Sequence, residues 1–244
     1  MKTLILAAGL GTRLKPLTED KPKALVEING KTLLQLTIER LKAQGIRDII
    51  INVHHFAQEI IDYIKENKRF GINIAISDEK NLLLDTGGGI KNASWFFDND
   101  EPFLVHNVDI ISNIDLNYFY KAHNYSKVLI SLAVRKRESS RYLLFDKNEI
   151  LCGWKNGKTG EQIITRDNDG DLIPLAYSGI QIMSPAIFSY MPDENVFSVI
   201  DLYLNLAPNY LIKSYRHDNT TWFDVGKKEN LDNAERFFSS PQFQ

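Results

Sequence analysis

The apolar pattern of this chain changes period repeatedly through its first 76 residues, and that alternation leaves few folds open. A short apolar run at 3–8 gives way to a helical pattern at 32–43, closed by Gly45; a run at 48–53, a second helical pattern at 57–67 and a run at 72–76 follow. Leu33, Leu34, Leu36, Ile38 and Leu41 give the first helix a broad apolar face, and Ile60, Ile61 and Ile64 do the same for the second. Strands alternating with one-faced helices predict an α/β fold with a doubly wound, mainly parallel sheet. From Val128 the strand signals shorten to 128–134, 142–146, 150–154 and 175–183, separated by polar turns such as the one at 167–170, which marks a smaller β subregion. Helical signals at 185–190 and 199–206, a strand at 210–215 and a last helix at 227–238 complete the chain.

The first predicted strand runs directly into a glycine turn rich in cations. After Leu6, Ala7 and Ala8, the residues Gly9 and Gly11 let the backbone turn with its N–H groups outward, and Thr12 follows. Such N–H groups line anions, Arg13 adds a planar fork matched to phosphate oxygens, and Lys15, Lys21 and Lys23 add point charges. The expected ligand is a polyanion. Two familiar phosphate loops are excluded: no Gly-Lys-Ser/Thr follows, and Leu14 stands where Gly-x-Gly-x-x-Gly would end. In open α/β sheets ligands collect beyond the carboxyl ends of the strands. That edge also receives Asp109, which follows a predicted strand at 102–106.

Composition narrows the function classes. With 29 basic and 31 acidic side chains the net charge is −2, which argues against bulk affinity for nucleic acid or acidic membrane, so the positive charge that matters is local. No apolar stretch is long enough to cross a bilayer, and the expected location is cytoplasmic. The single cysteine, Cys152, forms no internal disulfide and reads as a packing residue. His54 and His55 lack the carboxylates or thiols of a metal site, and the aromatic runs 95–97 and 118–120 read as scaffold.

The run Leu6-Ala-Ala-Gly-x-Gly11-Thr-Arg-Leu-x-Pro16-Leu-Thr18, followed by Lys21-Pro-Lys-x-Leu25, resembles the signature of the sugar-1-phosphate nucleotidyltransferases. Within that family, Leu84-Asp-Thr-Gly-Gly-Gly-Ile90 is most similar to the small enzymes that make UDP-N-acetylmuramate from N-acetylmuramate 1-phosphate. The resemblance implies a Rossmann-like fold in one domain, 1–244, with a nucleotide-binding half at 1–127 and a half at 128–244 that binds the sugar and supplies a second metal ligand. It also implies transfer of a nucleoside monophosphate from a nucleoside triphosphate to a sugar 1-phosphate, with Mg²⁺ as cofactor and a monomer or small homo-oligomer as the working form. UTP with N-acetylmuramate 1-phosphate leads; guanylyl transfer to mannose or heptose 1-phosphate is the nearest rival. A non-catalytic regulatory subunit that binds a nucleotide sugar, and a glycosyltransferase, are the other readings.

By the same resemblance Arg13 and Lys23 are the catalytic cations, and with Leu6, Ala7, Ala8, Gly9, Gly11, Thr12, Asp85, Gly87 and Gly88 they border the nucleotide. The glycines at 87–89 precede a helix expected at 90–97, which would let peptide groups approach the base. Asp109, in Val105-His-Asn-Val-Asp109, and Asp224, in Trp222-Phe-Asp-Val-Gly226, match the two metal-binding aspartates, although Val108 stands where the family has glycine. Asn107, Lys155, Ser178 and Gly179 fall to the sugar phosphate, with Lys155 lying in Gly153-Trp-Lys-Asn156 and not the usual Glu-Lys-Pro.

Overall fold

The computed structural model describes residues 1–168, 170–226 and 228–238. Asp169, in the turn expected at 167–170, and Lys227, the expected start of the last helix, lie outside the described residues. In chain order the elements are β1 (Thr3–Leu6), β2 (Glu27–Ile28), β3 (Lys31–Thr32), α1 (Leu33–Ala43), β4 (Asp48–Val53), α2 (Ala57–Glu66), β5 (Asn73–Asp78), α3 (Asp85–Asn92), β6 (Phe103–Asn107) and β7 (Ile110–Ser112). These are followed by α4 (Leu116–Ser126), β8 (Ile130–Arg135), β9 (Arg141–Phe145), β10 (Leu151–Asn156), β11 (Gln162–Ile164), β12 (Ile173–Met183), α5 (Val199–Leu206), β13 (Ile212–Arg216), β14 (Trp222–Asp224) and α6 (Lys228–Phe238).

The sheet runs β11-β10-β9-β12-β6-β1-β4-β5, with β8 paired to β12 and β13 to β8. β5, β4, β1 and β6 are parallel, as the alternation predicts, and β12 joins β6 antiparallel to begin the second half. Strand order reverses direction at β1, which is flanked by β4 on one side and the later β6 on the other. The loops after β1 and β6 therefore diverge around a crevice at their carboxyl ends.

Side chains alternate across the strands and build two cores. Ile5, Ile49, Ile51 and Leu104 pack with α1, α2, α4 and α6 on one face. Leu4, Ile50, Phe103 and Val105 pack with α3 and α5 on the other. Caps fix the helix starts: Thr32 accepts from Gln35 N at 3.0 Å and Asp115 from Tyr118 N at 2.9 Å. No helix among the described residues is long and apolar enough to cross a membrane.

Helix α3 corrects one expectation. The glycines do not precede a helix at 90–97; Gly87, Gly88 and Gly89 lie inside α3, buried, and the segment Ser94–Phe96 is a separate 3-10 turn. Long-range packing is the reason. A Cβ on Gly87 would stand 2.4 Å from the Phe197 ring, and one on Gly88 would stand 2.0 Å from the Asn195 carbonyl oxygen. One on Gly89 would meet Asn52 and Glu79 at 2.7 and 2.8 Å. Absence of side chains lets α3 lie against the chain leading into α5, at a cost in helix propensity of roughly 1 kcal/mol per glycine relative to alanine.

Candidate active site

The loop after β1 is shaped by Gly11, which adopts φ +65 and opens the 3-10 turn Thr12–Leu14. A side chain there would be strained and would press on Thr18 and Lys23 at 3.0 and 3.1 Å. Thr18 Oγ1 donates to the Gly11 carbonyl at 2.8 Å and locks the turn. Leu6, Ala7, Ala8, Gly9, Arg13 and Lys23 then line a cavity of about 430 Å³ together with Asp85, Thr86, Asn107, Val108 and Asp109. Arg13 is exposed at its mouth, and Lys23 pairs with Asp109 Oδ2 at its base.

A buried network ties this loop to the start of α3. Ala7 N donates to Asn52 Oδ1 at 2.6 Å, and Asn52 Nδ2 to Glu79 Oε1 at 2.6 Å. Leu84 N donates to Glu79 Oε2 at 3.0 Å. Burial pushes the Glu79 carboxyl up, against the two donors, Leu84 N and Asn52 Nδ2, that favour its charged form. These two residues were not singled out by sequence reasoning, although an asparagine inside the run Ile49-Ile-Ile-Asn-Val53 is an available signal of a buried polar partner.

The second carboxylate arrives from far along the chain. β14 pairs antiparallel with β7, setting Asp224 opposite Ile110, and Val225 N donates to the Asp109 carbonyl at 2.9 Å. The two carboxylates and the lysine converge beside Gly226. A Cβ built there would lie 2.7 Å from Asp109 Oδ2, 2.9 Å from Asp224 Oδ1 and 3.1 Å from Lys23 Nζ. Val108, in place of the family glycine, keeps an ordinary φ, donates its N–H to Leu6 O at 3.1 Å and packs in the core, so the strand end tolerates a side chain. No cluster of three or more metal-ligating side chains occurs among the described residues. Two hard oxygen donors still suit Mg²⁺, which commonly takes one or two carboxylates and completes its shell with phosphate and water.

A larger cavity, about 730 Å³, continues from the first; Leu6, Asp85, Thr86 and Asn107 line both. Its wall from the second half of the chain includes Trp154, Asn156, Lys158, Tyr177 and Gln181. Asn107 lines both cavities, at their junction. Lys155 does not: it faces the opposite side of β10, with Leu144, Gln162 and Ile164, because alternate residues of a strand point to opposite faces and its neighbours Trp154 and Asn156 face the cleft. Ser178 is fully buried, its Oγ 2.7 Å from His217 Nε2, so its hydroxyl supports the floor. Gly179 has φ +75, and a Cβ would approach Ile110 Cγ1 to 2.7 Å and Asn107 Nδ2 to 3.1 Å. Gly87 N and Gly88 N both donate to Phe197 O, at 2.9 and 3.3 Å, while Asp85 and Thr86 line the cleft.

Cys152 is buried with its thiol pushed up by desolvation, as a packing role requires. His54 Nδ1 lies 2.8 Å from the Glu79 carbonyl oxygen, a scaffold contact. Of the aromatic runs, Phe96, Phe97 and Phe119 are buried, whereas Trp95 and Tyr118 are exposed and do not serve as core.

Comparison with known proteins gives the family and relatives of this chain. The model of the family described as nucleotidyl transferase matches residues 2–149. The N-acetylmuramate alpha-1-phosphate uridylyltransferase of Neisseria meningitidis is 41% identical over 96% of this chain and 97% of its own length. The protein of the same description from Caulobacter vibrioides is 34% identical over 91% of this chain and 90% of its own. Among solved structures, HddC from Yersinia pseudotuberculosis complexed with GMP-PN superposes with a TM-score of 0.78 at 26% identity, covering 98% of this chain and 99% of that one.

Proposed function

The chain belongs to the nucleotidyl transferase family, and on that premise we propose that it is an enzyme joining the uridylyl group of UTP to N-acetylmuramate 1-phosphate, with release of pyrophosphate. The observation that carries the choice of substrates is the near end-to-end match to two uridylyltransferases of that description. In this reading 1–244 is a single nucleotidyltransferase domain; 1–127 holds the nucleotide, and 128–244 holds the sugar and the second metal ligand.

In the reaction an oxygen of the sugar phosphate attacks the α-phosphorus. A new P–O bond forms while the bond to the pyrophosphate bridging oxygen breaks, and its electron pair departs with pyrophosphate. No protein nucleophile is required; the demands are alignment of two anions and neutralisation of their charge. Arg13, at the cavity mouth, takes the triphosphate side, with the N–H groups of the Gly9–Gly11 turn beneath it. Lys23 stands where the two phosphates meet, and its pairing with Asp109 holds it there before substrates arrive. Asp109 and Asp224 are the residues that would hold Mg²⁺, which when bound neutralises phosphate oxygens and favours the leaving group. Asn107, at the junction of the two cavities, is placed to bond the sugar phosphate.

Guanylyl transfer is the second reading, favoured by the fold match to a structure complexed with GMP-PN. Pyrophosphate release, measured with Mg²⁺ over a grid of UTP, GTP, dTTP, CTP and ATP against several sugar 1-phosphates, decides between them. The uridylyl reading expects UTP and N-acetylmuramate 1-phosphate to give the highest kcat/KM. Preference for GTP would replace it, and silence across the grid with retained nucleotide-sugar binding would replace both with a regulatory role. In the active pair, Asp109→Asn is expected to lower kcat by at least about 100-fold with the unfolding midpoint retained; undiminished turnover would remove Asp109 from the metal site.

A further inference from the structure

Two arginines beyond Asp109 and Asp224 have no direct ion pair, Arg137 feeling the Asp224 carboxylate only at longer range. Arg135, at the end of β8, and Arg137, two residues on, both stack on the Trp222 indole, with guanidinium carbons 5.9 and 4.6 Å from the ring centroid. Neither makes an ion pair with a carboxylate among the described residues. Arg135 donates to the Thr220 and Asp218 carbonyls at 3.3 and 3.4 Å, and Arg137 to those of Glu138 and Tyr177 at 3.2 and 3.1 Å. The Nε of each is buried without a partner. Two like charges, both partly withdrawn from water and sharing one ring, repel, and a bound anion would offset that cost.

Only one of the two faces the cleft. Arg137 lines a cavity of about 510 Å³ with Arg13, Arg141, Trp154, Tyr177 and Asp224. Two of its five N–H donors are used on backbone carbonyls, so donors remain for an incoming oxygen. Trp222, whose Nε1 donates to Ser178 O at 2.9 Å, fixes the plane of the guanidinium. The position expected of Lys155 is meanwhile vacant on this side, because that lysine faces away.

We infer that Arg137 binds the phosphate of the sugar 1-phosphate and holds it beside Asp224. The inference rests on the nucleotidyl-transfer reading. A phosphate, and not the carboxylate of an acidic sugar, is the anion at this point because Arg137 shares its cavity with Arg13 and Asp224, where the phosphates converge. Of the cations lining the larger cavity, Lys158 is absent from this one, while Arg141 borders both.

The test compares Arg137→Gln, which keeps donors for the backbone carbonyls, with Arg137→Lys, which keeps the charge. Calorimetric titration, in the presence of a non-cleavable UTP analogue, would use N-acetylmuramate 1-phosphate and N-acetylglucosamine 1-phosphate, the second of which lacks the lactyl carboxylate. Arg137→Gln is expected to weaken both sugar phosphates by the same factor, about 10- to 100-fold. Arg137→Lys recovers part of the loss, and KM for UTP moves less than about threefold. A loss confined to N-acetylmuramate 1-phosphate would assign Arg137 to the carboxylate, and a loss falling on UTP would assign it to the triphosphate; either overturns the inference. Wild-type protein that binds neither sugar phosphate refutes the nucleotidyl-transfer reading, whereas normal binding by wild type and variants alike refutes the role of Arg137 alone.

Discussion

Alanine at Gly226 tests whether Asp109, Asp224 and Lys23 act as one centre. Gly226 does not have a positive φ, so alanine fits its backbone, and the change by itself favours folding by about 0.4–1 kcal/mol through the unfolded chain. The added methyl, however, meets Asp109 Oδ2 at 2.7 Å and Asp224 Oδ1 at 2.9 Å, and ordinary contact begins at 3.4 Å. The two oxygens must retreat by about 0.7 and 0.5 Å, and Lys23, at 3.1 Å, must yield as well. Displacements approaching 1 Å in a reacting constellation cost on the order of 100-fold in rate, so kcat/KM should fall about 10- to 100-fold, equivalent to about 1.4–2.7 kcal/mol of barrier. Pyrophosphate release gives the rate, and urea unfolding gives the stability of the same preparation. Activity within twofold of wild type, at unchanged stability, would mean the three groups do not jointly address the phosphates. A stability loss above about 2 kcal/mol would mean Gly226 is needed by the fold.

At Gly88 the opposite balance is expected. A methyl 2.0 Å from the Asn195 carbonyl oxygen and 2.9 Å from Leu84 Cβ forces α3 off its neighbour, so Gly88→Ala should lose about 2–3 kcal/mol in urea unfolding, or fail to fold. Lys155→Ala should leave KM for both substrates within about twofold, since the side chain points away from the cleft; a larger rise in KM for the sugar phosphate would restore Lys155 to the site. Stability should fall as pH drops from about 6.5 to about 4. Burial lowers His106, His123 and His217 to about 4, so across that window the unfolded chain binds more protons than the folded one. Each contributes up to about 1.4 kcal/mol per pH unit there and nothing above it. Chemical unfolding from pH 4.5 to 8 reads the slope, and His123→Gln should flatten it; an unchanged slope would show that His123 does not titrate as buried.

The parts of the site that were legible in the sequence are those whose chemistry is local. Gly9 to Arg13 is a strand, a turn and a cation in one short stretch, and β1 delivers it to the crevice without help from distant residues. Asp109 and Asp224 were readable only because each sits in its own motif; what joins them is the β7–β14 ribbon, which no local pattern announces. Lys155 shows the limit of motif matching on a strand, where displacement by one residue exchanges the faces and sends a correctly charged side chain to the wrong side. Gly87 and Gly88 of α3 read as a flexible turn because their reason for being glycine is Phe197 and Asn195, more than a hundred residues away. Arg137 was hidden for the same cause. In Arg135-Lys-Arg-Glu138 it resembles any solvated turn, and its meaning comes from the ring of Trp222 and the nearness of Asp224, both supplied by a strand from the far end of the chain. On the proposed reading, the phosphate loop is one contiguous segment, while the sugar end is assembled from β9, β10, β12, α5 and β14. On that reading, choice of sugar depends on the least local part of the fold, and substitutions there can redirect specificity while the phosphate loop stays as it is.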